Sequence, residues 1–197
     1  MTHSTKQLIA KVAEELFLEK GYLATTLNDI MEVTKLSKGA IYHHFSSKKA
    51  ILDYLIDFKT ALLQEKLKGI NSSSLITNLN QLFNAFFDYS FQQLSWISKV
   101  PDNLLIQINL IKELIIPKLN SILNQAQIKH SLELSETILY TLINTITTSQ
   151  KNKLILNISN KLELFTEVLY NLNQQLLNKQ ELISLRNQII KNISINF

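Results

Sequence analysis

The residues best suited to chemistry crowd between Thr26 and Lys49, and the chemistry they suit is anion recognition. Acids stop at Glu32 and do not resume before Asp53, so Lys35, Lys38, Lys48 and Lys49 form an acid-free basic stretch. Lys38, Lys48 and Lys49 fall in the first turns of predicted helices, where the helix dipole disfavours a cation by about a few tenths of a kcal/mol. An anion would repair that mismatch. A helix N-terminus with free N–H groups and an added lysine suits a phosphate, and two such termini bracketing one short helix match a duplex backbone on both sides of a groove. The plainer alternative, lysines solvated on a surface, is the usual fate of charged side chains but leaves their placement unexplained.

Catalytic chemistry finds little support. Gly21, Gly39 and Gly69 stand alone, which excludes a P-loop, a dinucleotide fingerprint and a nucleophile elbow. His43 and His44 are neighbours that point about 100° apart on a helix, too divergent for easy chelation. Asp53 and Asp57 share a helix face at i, i+4, where solvated acids are the commoner outcome, and His130 reads as a surface or core residue. No catalytic residue, metal or cofactor is expected, and the chain is read as a binding protein rather than an enzyme.

The elements that must position the basic stretch can be read from caps and periodicity. Leu8, Ile9, Val12, Ala13, Leu16 and Phe17 repeat at helical spacing, and Gly21 stops that first helix after Lys20. Thr26 followed by Asp29 has the form of a capping box opening a second, short helix that ends near Thr34. Ser37 is a natural N-cap for a third, from Lys38 to about Phe45, and Ser46 or Ser47 caps a long fourth ending at Gly69. On the third helix Ile41 and Phe45 share the anchoring face, which leaves Gly39, Ala40 and His43 on the opposite one, flanked by Tyr42. Glycine inside a helix costs about 1 kcal/mol relative to alanine, so Gly39 beside Ala40 suggests a flat surface made for close approach. A helix in a DNA major groove is one such case; close packing against another helix is the other.

The segments from Gly21 to Ile30 and from Leu36 to Lys48, read as GYLATTLNDI and LSKGAIYHHFSSK, together resemble the N-terminal signature of the TetR family of regulators. The resemblance covers about the first 55 residues, and glycine, aromatic and lysine positions agree in spacing as a set. It implies an all-α fold: an N-terminal three-helix helix-turn-helix domain at 1–47 and a helical ligand-binding and dimerisation domain at 48–197. It also implies that the third helix is the recognition helix. By position, Thr26 resembles a phosphate-contacting cap, Tyr42 and His44 resemble backbone contacts, and Lys48 resembles a phosphate-binding lysine. Ser37, Lys38, Gly39, Ala40 and His43 complete the expected DNA-facing set. The chain departs from the family at Met31, where alanine is usual, and at Thr34-Lys35, where an Ala-Gly pair is usual. The lost glycine leaves the shape of the turn open.

Beyond Gly69 the caps suggest a helix from Ser72–Ser74 to about Ser95, another opened by Pro101-Asp102, a break at Pro117, and two more capped by Ser135 and Ser159. That makes about nine or ten helices, with an extra one at 180–195 to which no role attaches. The resemblance implies that the helices near 135–150 and 159–178 form a four-helix bundle with a second subunit. Their apolar residues include Ile138, Leu139, Leu142, Ile143, Ile146, Leu162, Phe165, Leu169 and Leu172. A two-fold dimer would present two recognition helices about 34 to 36 Å apart, or a similar groove-matched distance, to a palindromic operator on double-stranded DNA. Phe83, Phe86, Phe87 and Trp96, with Gln107 and Asn109, are candidates for a small-molecule effector pocket, although an aromatic stripe at helical spacing is more often core.

Composition agrees with a helical globular protein: 46% hydrophobic, three glycines, two prolines and no cysteine, hence no disulfide or thiolate metal site. A net charge of +4 permits a polyanionic partner without requiring one. No apolar run reaches transmembrane length and the N-terminus is amphipathic rather than signal-like, so the expected location is the cytoplasm. Three functions fit: a repressor released by a small molecule acting through a hinge at the fourth helix, a ligand-independent architectural DNA-binding protein, or a helical protein-interaction module.

Overall fold

The computed structural model describes residues 4–97, 103–148, 151–172, 174 and 178–195. Their regular structure is entirely helical: α1 (Thr5–Lys20), α2 (Leu27–Thr34), α3 (Lys38–His44), α4 (Lys48–Lys68), α5 (Leu75–Ile97), α6 (Asn103–Gln125), α7 (Ser131–Thr148), α8 (Lys151–Leu172) and α9 (Lys179–Ile195). The all-α expectation holds, with nine helices among the described residues. They divide into two compact units, Met1–Leu62 with Gln92–Leu104 and Leu63–Phe91 with Leu105–Phe197. None of these helices is long and apolar enough to cross a membrane.

In the first unit each helix starts where its own cap dictates. Ser4 and Gln7 form a reciprocal capping box at α1, and Gly21 ends that helix at φ 87°, a conformation that favours glycine. Thr26 and Asp29 form the second box, Ser37 Oγ accepts from the Ala40 N–H, and Ser47 Oγ accepts from the Ala50 N–H, so Ser47 rather than Ser46 caps α4. Ile9, Ala13, Phe17, Ile30, Ile41, Phe45, Ile51 and Leu52 make the core, and a Glu14–Lys59 ion pair at 2.9 Å ties α1 to α4. The turn at Thr34-Lys35 keeps a left-handed residue without glycine: Lys35 itself takes φ 58°, ψ 21°. The shape left open by the sequence is therefore the one a glycine would have given, reached at some backbone strain.

In the second unit, burial overrides several local signals. Pro117 lies inside α6 instead of breaking it. Ile111, Ile115, Leu119 and Leu123 bury one continuous stripe across it, and at about 1.5–3 kcal/mol per buried side chain they offset a proline penalty of about 3 kcal/mol. Ser135 is not a cap: α7 begins at Ser131, and the buried Ser135 hydroxyl donates back to the Ser131 carbonyl at 2.6 Å. Ser159 is not a cap either, since α8 begins at Lys151 and Leu154, Ile158 and Leu162 carry a buried stripe past it. Pro101 and Asp102 lie outside the described residues. The extra C-terminal helix exists as α9, burying Leu182, Leu185, Ile189 and Ile193.

Candidate nucleic-acid interface

Helix α3 is anchored by Ile41 and Phe45, which are 0% and 4% exposed. Its other side carries Lys38, Gly39, Tyr42 and His43, all exposed, with Ala40 and His44 half-buried at its margins. A methyl group added at Gly39 would meet only Ser37 Oγ, at 3.9 Å. Among the described residues no other helix comes within 4 Å of that methyl, so close internal packing does not explain the glycine. Lys38 Nζ sits 5.8 Å from the Tyr42 ring centre, and the His43 and His44 rings meet edge to face at 5.0 Å. The face is flat at Gly39 and bordered by one lysine, a phenol and imidazoles that can donate or accept hydrogen bonds.

The turn from α1 into α2 is knitted by polar contacts. Thr26 donates its N–H and its hydroxyl to Asp29 Oδ2 at 2.6 and 2.8 Å, and the Asp29 N–H returns a bond to Thr26 Oγ1 at 3.2 Å. Lys20 Nζ lies 2.7 Å from the same carboxylate. The Lys20 ammonium first, then the Thr26 N–H and hydroxyl, hold the Asp29 carboxyl down to about 2. Thr26, expected to touch phosphate, thus has both donors on a carboxylate that occupies the anion position at the start of α2.

Two of the three first-turn lysines find partners inside the protein. Lys49 bonds both oxygens of Asp53 at 2.8 Å. Lys48 does not extend into solvent: Nζ donates to the carbonyls of Tyr22 and Thr25 at 2.7 Å each, has Leu23 O at 3.4 Å, and lies 4.3 Å from the Tyr22 ring centre. Burial lowers its pKa, opposed by the Asp29 charge. Nothing in the spacing of Lys20, Asp29 and Lys48 announces these contacts, because they join residues across a turn that only tertiary structure closes.

Phe83, Phe86 and Phe87 are fully buried in the core of the second unit, where Phe83 meets Phe165 edge to face at 5.6 Å. Asn109 is exposed, and the side chains of Trp96 and Gln107 lie outside the described residues. Two buried polar atoms of the second unit find no hydrogen-bond partner among the described residues, the Ser90 hydroxyl and Arg186 Nε.

Residues 9–55 match the family described as bacterial regulatory proteins, tetR family. An uncharacterized HTH-type transcriptional regulator of Lactococcus lactis is 31% identical over 113 residues, 56% of this chain and 58% of its own. The HTH-type transcriptional regulator QacR of Staphylococcus aureus is 36% identical over 63 residues, 32% of this chain and 34% of its own. The chain thus spans less than two thirds of the length of these relatives. Among solved structures, a transcriptional regulator from Aquifex aeolicus superposes with a TM-score of 0.61 at 18% identity, over 98% of this chain and 100% of the other. The ketosteroid transcriptional regulator KstR2 of Mycobacterium tuberculosis superposes at 0.60 and 20% identity, over 87% and 96%. Likeness at this identity is likeness of fold.

Proposed function

Because residues 9–55 match the tetR family of bacterial regulatory proteins, we propose that this chain is a member of that family and a ligand-responsive transcriptional repressor in the cytoplasm. It binds a palindromic operator as a homodimer through α3. Residues 1–47 form the DNA-binding domain and residues 48–197 the effector-binding and dimerisation domain. Lys38, Gly39, Ala40 and His43 face bases, Tyr42 and His44 contact the backbone, and Ser37 offers a capping hydroxyl near phosphate, while the Thr26 hydroxyl stays on Asp29 and fixes the start of α2.

The observation that carries this reading is the open space at Gly39. A helix face kept free of side-chain bulk, with no neighbour of its own, leaves room for groove edges to approach. The repressor reading adds an effector, and Ser90 supports it: a buried hydroxyl without a partner among the described residues is the sort of polar group that orients a small ligand. Ser90→Ala is expected to raise stability by about 1 kcal/mol, since an unsatisfied buried hydroxyl is removed, and to weaken the effector response. Urea unfolding and effector titration of the variant check both halves.

Fluorescence anisotropy with a duplex from the DNA upstream of the coding region tests the whole reading, titrated in salt and against unrelated duplex. Specific nanomolar binding that falls steeply with salt is expected. Binding indifferent to sequence, in a selection from random duplexes as well, would leave a protein-interaction module instead.

A further inference from the structure

We propose that the cleft between α8 and α9 binds a small zwitterion of the amino-acid type, with its carboxylate on Arg186 and its ammonium between Glu163 and Glu167. The cleft has a volume of about 420 Å³, the size of a small-molecule site, and both of its walls belong to the second unit. Neither Ser90 nor the core phenylalanines line it, so it is a site apart from the effector reading above and stands without the DNA-binding one.

Of the chain's 20 lysines and arginines, Arg186 alone is an arginine, and it lines the cleft with its side chain 22% exposed. A lysine suffices to solvate a surface; a planar fork is suited to hold a carboxylate by two parallel hydrogen bonds. One end of this fork is engaged and one edge is idle. Nη1 lies 2.9 Å from Glu163 Oε2, Nη2 donates only a long 3.4 Å bond to Asn187 Oδ1, and Nε is buried without a partner among the described residues. Nε and Nη2 are the edge that a carboxylate takes side-on. A small rotation of the guanidinium toward a bound carboxylate would replace a buried, unpaired donor and a weak bond by two charge-assisted ones.

The walls also set the charge on the rest of the ligand. Glu163 and Glu167 stand one turn apart on α8, and Lys179 and Arg186 line the same cleft from α9, so the four formal charges cancel. A plain anion meets two carboxylates there and a plain cation meets two basic groups, whereas a molecule carrying both signs finds a partner for each. Thr166, 7% exposed, suits the ammonium end: its hydroxyl donates to the Glu163 carbonyl at 2.9 Å, which leaves the oxygen lone pairs to accept. Tyr170 and buried Leu182 supply apolar surface for the ligand's side chain.

A lone arginine gives a direct readout, because its Nε–H is one assignable signal in a nitrogen-edited NMR spectrum. L-Phenylalanine, hydrocinnamate and phenethylamine share one body and carry both charges, the carboxylate alone and the ammonium alone. In the full chain without DNA, L-phenylalanine is expected to shift the Arg186 Nε–H signal and, in calorimetry, to bind at least about tenfold more tightly than either analogue. Glu167→Gln is expected to weaken L-phenylalanine by about tenfold without weakening hydrocinnamate, whereas Arg186→Lys weakens both, because an ammonium cannot hold two parallel bonds. A guanidinium that only ties α9 to Glu163 predicts a stationary signal with L-phenylalanine, L-leucine and their dipeptide up to about 10 mM, and that result overturns the proposal. Equal binding of the zwitterion and its analogues overturns it as well, and so does binding that weakens as protein concentration rises, the mark of a second copy covering the cleft. If the variants do not fold, the signal in the parent chain decides. Failure of DNA binding leaves these titrations unaffected, so the two readings fail separately.

Discussion

At the scale of single residues, Gly39 and Asp29 turn structure into measurable consequences. A methyl group added at Gly39 meets only Ser37 Oγ, at ordinary contact distance, and leucine is a better helix former than glycine by up to about 1 kcal/mol. Gly39→Leu is therefore expected to melt at or above the parent temperature while losing specific DNA binding; operator affinity retained at full helicity would remove α3 from the groove. Asp29 contributes to the acid behaviour. Its folded pKa of about 2 lies below the ordinary 3.8, so the carboxylate's stabilisation is complete above the ordinary value and is lost as pH falls toward 2. Carboxyl NMR should show Asp29 titrating near 2, and Asp29→Asn should flatten the acid limb of the unfolding curve between about pH 4 and 2. The capping half of this site was legible in the spacing of Thr26 and Asp29. The Lys20 and Lys48 contacts were not, because no local period brings those side chains together.

At the scale of elements, the first helix was legible from its apolar period and the Gly21 stop, and the next three because each begins at a cap whose partner lies three residues on. Later boundaries were not. Serine and asparagine are so common after Gly69 that Ser135 and Ser159 resembled caps, while buried stripes ran through both and through Pro117. Propensity at one residue yielded to burial summed over several turns. The turn between α2 and α3 shows the reverse case, in which geometry survived an unfavourable residue. Lys35 holds φ 58° although a side chain there costs about 1 kcal/mol or more. Lys35→Gly relieves that strain at the cost of greater unfolded-chain freedom, and a net gain of about 0.5–1 kcal/mol is expected in urea unfolding. A lower midpoint would mean that the lysine side chain stabilises the turn by more than its backbone strains it.

At the scale of the whole molecule, the proposed homodimer requires a surface for its second copy. Ile138, Leu139, Leu142, Ile143, Leu162, Phe165 and Leu169, which the sequence suggested for a four-helix bundle between subunits, are buried within the chain's own core. Of the same set, Ile146 is half-buried and Leu172 is 40% exposed, so the chain's own core absorbs most of the stripe and leaves its two ends outside. What α8 leaves outside includes Leu156, 62% exposed, and Leu164, 57% exposed, on one side of the helix around exposed Asn160, with Leu172, 40% exposed, at its last residue. Scattered exposed leucines are ordinary; two large ones within about two turns of one helix are a candidate seam. If α8 lies at the centre of an isologous interface, each substitution acts twice, once per subunit. The double variant Leu156→Lys, Leu164→Lys would then place four ammonium groups in that seam, and sedimentation should show a monomer of unchanged helicity. Its operator binding should weaken and lose dependence on having both half-sites in one duplex, since each monomer would read a half-site alone. A variant that still sediments as a dimer would move the seam off α8. A parent that sediments as a monomer at binding concentrations would remove the palindrome from the proposal and leave α3 to read a single half-site.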